Sequence, residues 1–235
     1  MQRHYEVIVL GRSIGALTAA ALLARRDFTV LVLGNGGPPA GYHAGDFPMR
    51  RRAFSFVAGH SPAWQRVITE LAQSQTFKRR IELISPMLQG LSPEKRIGIP
   101  SDGELFQREV RREFPELPHV VDEFYARLAE ANAATDAAFA DDLTWPPGTF
   151  WERRETNRRA ELLPYIHAEP DADLMSEFPR GHYFRQLVRA TVAFGTHLSS
   201  VPPPFATARL HGSWTRGLMR LLGGEDDLEA FLVER

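Results

Sequence analysis

Two short apolar runs, Tyr5–Leu10 (YEVIVL) and Phe28–Leu33 (FTVLVL), bracket the helix-forming stretch Ser13–Arg26 (SIGALTAAALLARR). Each run is rich in β-branched residues and fits a strand buried on both faces of a parallel sheet. Between them, Leu17, Ala20, Ala21 and Ala24 form a small-residue face that allows a helix to approach a sheet closely. Strand, tight turn, helix and strand within about 30 residues form a βαβ unit, the context in which a glycine-rich turn acquires meaning.

Three glycines serve distinct purposes in such a turn when it grips a dinucleotide. The first permits the sharp turn, the second lets the backbone touch the pyrophosphate, and the third lets helix and strand pack closely. The amide end of the helix then faces the phosphates. Here the three places hold Gly11, Ser13 and Ala16, with an additional Gly15. Ser13 sets a hydroxymethyl group where the ligand approaches, and Gly34 stands where an acid would bond the adenosine ribose. The apolar positions Val7, Val9, Ala20, Leu23, Val30 and Val32, and the leading polar Glu6, match the complete fingerprint. Two readings follow: a dinucleotide-binding module, or a buried βαβ unit with a glycine-containing turn.

At 235 residues and 43% hydrophobic content, the chain is long enough for one large domain or two small ones with a real core. Lys plus Arg number 28 against 29 Asp plus Glu, so no net field attracts nucleic acid or anionic membranes. The absence of cysteine excludes disulfides, thiolate zinc sites and cysteine catalysis. No run reaches the ~20 apolar residues of a membrane span, and Val7–Leu10 is too short for a signal-peptide core. The expectation is a cytoplasmic protein with no nucleic-acid partner and no transmembrane segment.

The segment YEVIVLGRSIGALTAAALLARRDFTVLVLG resembles the opening of the flavin-dependent phytoene desaturase and amine oxidase superfamily. That resemblance implies an α/β protein with a Rossmann-like βαβ dinucleotide-binding unit, a β-hairpin and a mostly helical cap domain. It implies FAD as cofactor, bound at Gly11, Arg12, Ser13, Ile14, Gly15, Ala16, Gly34, Gly41 and Tyr42. In the family a glycine-glycine-arginine segment after the second strand lies against the flavin; here GGPPAGYH places Gly41, Tyr42 and His43 nearby, without the arginine. The implied reaction is hydride transfer from an apolar or amine substrate to the flavin.

On this basis residues 1–60 hold the dinucleotide-binding unit and its following loop, 61–100 a helix and hairpin, and 101–235 the helical cap. Residues 34–59, rich in Gly, Pro and Arg, read as a long loop, in which Arg50, Arg51 and Arg52 either meet a pyrophosphate or are solvated. Ser61-Pro62 predicts a helix start, and MLQGLSPEKRIGIP predicts a hairpin around Ser92–Lys95. Ser101 with Glu104 and Thr149 with Glu152 read as capping boxes, and a long helix is predicted over Pro118–Asp141. A further helix after Gly181 aligns Phe184, Leu187, Val188, Thr191 and Val192. Residues 101–222 are expected to be helical without long parallel strands.

Two clusters carry weaker signals. His167, Glu169, Asp171 and Asp173 alternate in HAEPDAD but match no calcium or zinc spacing, so a polar loop is favoured. His197 and His211 flank a Pro-Pro-Pro run without an evident partner and receive no catalytic role. The final segment GLMRLLGGEDDLEAFLVER resembles the family's Gly-Gly turn and the helix leading back to the dinucleotide-binding domain. The resemblance therefore places the rest of the sheet elsewhere, and the expectation is a second polypeptide supplying the missing C-terminal half, or self-association. The alternative is a non-catalytic binding or assembly protein that kept the scaffold and lost the flavin, which Ser13 and Gly34 favour.

Overall fold

The computed structural model describes residues 4–34, 36, 41–50, 59, 61–140, 146–169, 172–196 and 202–234. The chain opens with β1 (Val7–Leu10), α1 (Ile14–Arg25) and β2 (Val30–Leu33), then β3 (Gly41–Ala44), β4 (Phe47–Arg50), α2 (Pro62–Glu70), α3 (Ser74–Lys78) and β5 (Ile81–Leu83). It continues through β6 (Leu88–Leu91), β7 (Arg96–Ile99), α4 (Gly103–Glu113), α5 (Pro118–Ala138), α6 (Phe150–Glu161), α7 (Tyr183–Thr196) and α8 (Pro204–Trp214). Strand β8 (Met219–Leu221) and helix α9 (Glu225–Val233) close it. Two compact units result, Met1–Leu83 with Leu218–Arg235, and Ile84–Gly217. The architecture is mixed α/β, with helices and small sheets of two strands. Among the described residues no helix is long and apolar enough to cross a membrane.

In the first unit β1 and β2 run parallel, Val7 opposite Val30 through Leu10 opposite Leu33, and α1 connects and packs on them. Glu6 ties the strand entrances together: its carboxylate accepts from the Thr29 amide at 2.8 Å and hydroxyl at 3.0 Å. Those bonds hold the Glu6 carboxyl below its ordinary range. The expectation that β1 is buried on both faces is corrected. Val7 and Val9 are half-buried, whereas Ile8 is 58% and Leu10 77% exposed, because a two-stranded sheet offers a helix only one face.

The core of this unit forms where distant segments meet. Strand β8 pairs antiparallel with β5, Ile81 opposite Leu221, and the Leu222 amide donates to the Arg80 carbonyl at 2.9 Å. Helix α9 then buries Leu228, Phe231 and Leu232 against Leu17 and Ala21 of α1. Helix α2 begins as its sequence predicts, Ser61 Oγ accepting from the Trp64 amide at 3.2 Å with Pro62 in the first turn. Trp64, Phe77 and Phe231 pack through the centre, Trp64 edge-on to Phe77 at 5.4 Å and Phe77 tilted against Phe231 at 5.6 Å.

The long loop expected over residues 34–59 is likewise corrected in part. Strands β3 and β4 form an antiparallel hairpin, Tyr42 opposite Met49, closed by Gly45 and Asp46. Gly45 has φ +62°, the left-handed conformation that two-residue hairpin turns require. A Gly-Asp pair between short β-prone runs was the available signal, masked by the surrounding proline and glycine.

The second unit contains the predicted hairpin, β6 against β7, with the Ser92 amide donating to the Lys95 carbonyl at 2.8 Å. Its helices follow the expected pattern, and no described residue between 101 and 222 forms a parallel strand. The cap of α4 shifts by one residue: Asp102, not Ser101, accepts from the Leu105 amide at 2.9 Å. Glu104 consequently lies too early in the helix to close a capping box. Thr149 and Glu152 do form one, at 3.2 Å and 2.9 Å.

Aromatic rings dominate the second core. Phe178 and Phe184 stack at 5.0 Å, while Phe114 and Phe124 meet Phe184 edge-on at 5.8 and 6.5 Å. Phe184, Leu187, Val188, Thr191 and Val192 of α7 are all buried, as their helical spacing requires. Helices α5 and α8 cross at Gly212, where a Cβ would collide with the Asn132 amide group. Asn132 bridges that crossing, donating to the Leu128 carbonyl at 2.8 Å and the Ala208 carbonyl at 3.2 Å.

Candidate functional site

The turn after β1 is shaped by one dihedral angle. Gly11 has φ +110°, a conformation closed to residues with a Cβ, and its amide donates to the Leu33 carbonyl at 2.8 Å. This bond carries the parallel ladder one step beyond the strands. Ser13 then adopts an extended conformation, and the Leu17 amide bonds to the Ser13 carbonyl at 2.9 Å, starting α1. The amide end of the helix therefore lies immediately beyond the strand ends.

Ser13 resolves into a helix cap. Its Oγ accepts from the Ala16 amide at 3.2 Å, one of the donors that an anion at a helix start would otherwise use. A Cβ on Gly15 would meet no atom of the described residues within 4 Å. Gly34 is different: a Cβ there would strike the Arg12 side chain, whose Cγ lies at 2.7 Å from that point. Arg12 runs across the end of β2 and pairs with Glu229 of α9 at 2.6 Å. The place of a ribose-binding acid is thus covered by a cationic side chain held from elsewhere in the unit.

Of the residues singled out in the sequence, Gly11, Arg12, Ser13, Ile14, Gly15, Ala16 and Gly34 come together at this turn. Gly41 and Tyr42 belong to the separate β3–β4 sheet. Arg51, Arg52 and His197, and the side chain of Arg50, lie outside the described residues. In HAEPDAD, Asp171 is also outside them, while Asp173 accepts from the Met175 amide at 3.0 Å and pairs with buried Arg185. No group of three or more His, Asp or Glu side chains suited to a metal exists among the described residues. The arginines of α6 include Arg159, paired with Glu155 at 2.8 Å, in keeping with a salt-bridged surface helix.

His211 acquires partners that its sequence context does not announce. Its Nδ1 lies 2.7 Å from Thr191 Oγ1 and its Nε2 2.9 Å from the Tyr125 hydroxyl. Thr191 donates its own proton to the Val188 carbonyl at 2.8 Å. The network therefore assigns Nδ1–H as donor to Thr191 and leaves Nε2 to accept from Tyr125. Burial in this neutral setting pushes His211 down to about 4 and raises the Tyr125 phenol. The three groups satisfy one another inside the second core, which marks a structural network.

No protein-family model matches the chain, and no curated protein sequence matches it.

Proposed function

We propose that the first unit is the dinucleotide-binding module of a flavin-dependent oxidoreductase resembling the phytoene desaturases. The observation that carries this reading is the parallel β1–α1–β2 crossover with Gly11, at φ +110°, between the strand end and the amide end of α1. The residues fit the pyrophosphate of FAD better than its ribose. Gly11, Arg12, Ser13, Ile14, Gly15 and Ala16 form the turn and the helix start, with no described atom within 4 Å of a Cβ placed on Gly11 or Gly15, whereas Gly34 offers no acceptor. When bound, FAD would supply the hydride-accepting redox chemistry toward an apolar or amine substrate. The chain's own contribution at this turn is to bind and orient the diphosphate.

A second reading, a binding or assembly module without flavin, is favoured by the internal substitutes for ligand contacts. Ser13 caps the Ala16 amide and Arg12 is tied to Glu229. Titration of FAD, followed by quenching of flavin fluorescence, separates the two. The wild-type protein is expected to bind weakly and saturably. Ser13→Gly with Gly34→Glu, in which the exposed Arg12 side chain swings off the end of β2 to admit the new Cβ, is expected to tighten binding about tenfold, the worth of one hydrogen bond involving a charged group. Glycine remains an acceptable cap, so the fold survives the first change. Saturable binding by neither protein would remove the flavin reading and leave the second.

The bare face of the β1–β2 pair, where Ile8, Leu10 and Leu33 are exposed, supports association with a second polypeptide or another copy of the chain. Light scattering on the purified protein is expected to return a mass above that of the 26.5 kDa chain. A monomer at micromolar concentration would defeat the association.

A further inference from the structure

Helix α4 lies along β7, and three of its side chains take the place of a neighbouring strand. Glu109 Oε2 accepts from the Gly98 amide at 2.9 Å, and Glu113 Oε2 from the Arg96 amide at 3.3 Å. Arg112 Nη2 donates to the Arg96 carbonyl at 3.0 Å. The same guanidinium bonds Glu113 Oε1 at 2.9 Å and Glu109 Oε2 at 2.8 Å, and holds the Glu113 carboxyl below its usual range. Both carboxylates are therefore engaged by Arg112 and by backbone amides. Lys95 is engaged too, donating to the Glu113 carbonyl with its ammonium 4.8 Å from the Phe114 ring centre.

Beside this edge lies a groove of about 640 Å³, within the size range of small-molecule sites. Arg96, Arg108 and Arg112 line it together with the Glu109 and Glu113 carboxylates, while Pro86 and Leu105 provide apolar wall. Neither Arg96 nor Arg108 has a hydrogen-bond or ion-pair partner for its guanidinium among the described residues. The two acids in the lining already accept from Arg112 and from the amides of β7, which leaves the Arg96 and Arg108 guanidinium groups to a ligand. A guanidinium is a fork that matches phosphate oxygens in pairs, and two of them at one groove suit a doubly charged head group.

We propose that this groove binds a phosphate monoester whose organic part is small and apolar, the phosphate held by Arg96 and Arg108 and the organic part against Pro86 and Leu105. The site lies wholly within Ile84–Gly217 and is independent of the flavin reading, which concerns other residues.

Phenyl phosphate is the probe, titrated into the full-length protein by calorimetry and by amide NMR. Saturable binding is expected, with the Gly98 amide, which lines the groove, among the resonances that move. Arg96→Gln and Arg108→Gln are each expected to weaken binding about tenfold, and the double variant about a hundredfold. Arg111→Gln, an exposed position of α4 outside the lining, is expected to leave affinity unchanged. Inorganic phosphate should bind less tightly than the probe, and benzyl alcohol should not compete with it. The proposal is overturned if phenyl phosphate fails to saturate, if Gly98 does not respond, or if Arg111→Gln weakens binding as much as the groove variants. Equal loss at all three arginines would mean general charge attraction.

Discussion

Replacing Phe184 with alanine is expected to destabilise the second unit by about 4 kcal/mol, within the range for emptying a fully buried aromatic site. Phe184 has no exposed surface and touches a ring on nearly every side: Phe178 stacked at 5.0 Å, Phe114 at 5.8 Å, Tyr125 at 6.3 Å and Phe124 at 6.5 Å. These rings come from the C-terminal cap of α4, from α5 and from the segment before α7, so the vacancy cannot close by moving one element. Phe150→Ala is the matched control, because that ring is 70% exposed and its loss should change stability by less than about 0.5 kcal/mol. Urea unfolding followed by far-ultraviolet circular dichroism measures both. Similar midpoints for the two variants would contradict the aromatic core.

Acidification is expected to remove about 3 kcal/mol through His211 alone. Its folded-state value of about 4 lies below the ordinary 6.5, so the unfolded chain binds the proton more readily than the folded one. Its contribution is complete above pH 6.5 and is lost progressively as pH falls toward 4. The physical cause is burial between Tyr125 and Thr191, where a second ring proton would meet Tyr125 already donating to Nε2. His211→Gln is expected to be less stable at pH 7, since it disrupts the bonds to Tyr125 and Thr191. The stability gap between wild type and variant should then narrow between pH 6.5 and 4. Carboxylates titrate in both proteins and cancel in that difference. A gap independent of pH would overturn the neutral, buried assignment.

Ser13 illustrates how one residue can be read correctly in place and incompletely in role. Its position just before a run of helix formers marks the start of α1, and the structure makes it the cap. Its hydroxyl can satisfy the helix or crowd a ligand, and here it accepts from the Ala16 amide. Arg12 was equally visible as a member of the turn. Its partner Glu229 was not, because 217 positions separate them and nothing in either local sequence names the other.

Features with a short spacing were legible from the amino-acid sequence. The strand, turn, helix and strand of residues 7–33, the Ser92–Lys95 hairpin and the caps at Ser61 and Thr149 are of this kind. Each is set by groups within a few residues, through alternation, helical periodicity or a bond from side chain to nearby amide. Tertiary packing settled the rest: β5 with β8, α9 on α1, the uncovered face of β1, the Tyr125–His211–Thr191 network and the α4 side chains along β7. The cost of closing a loop rises only slowly with its length, so Ile81 has no local reason to choose Leu221 over another apolar residue. That choice is made by shared burial and by backbone groups that must find partners, and both arise only when remote segments meet.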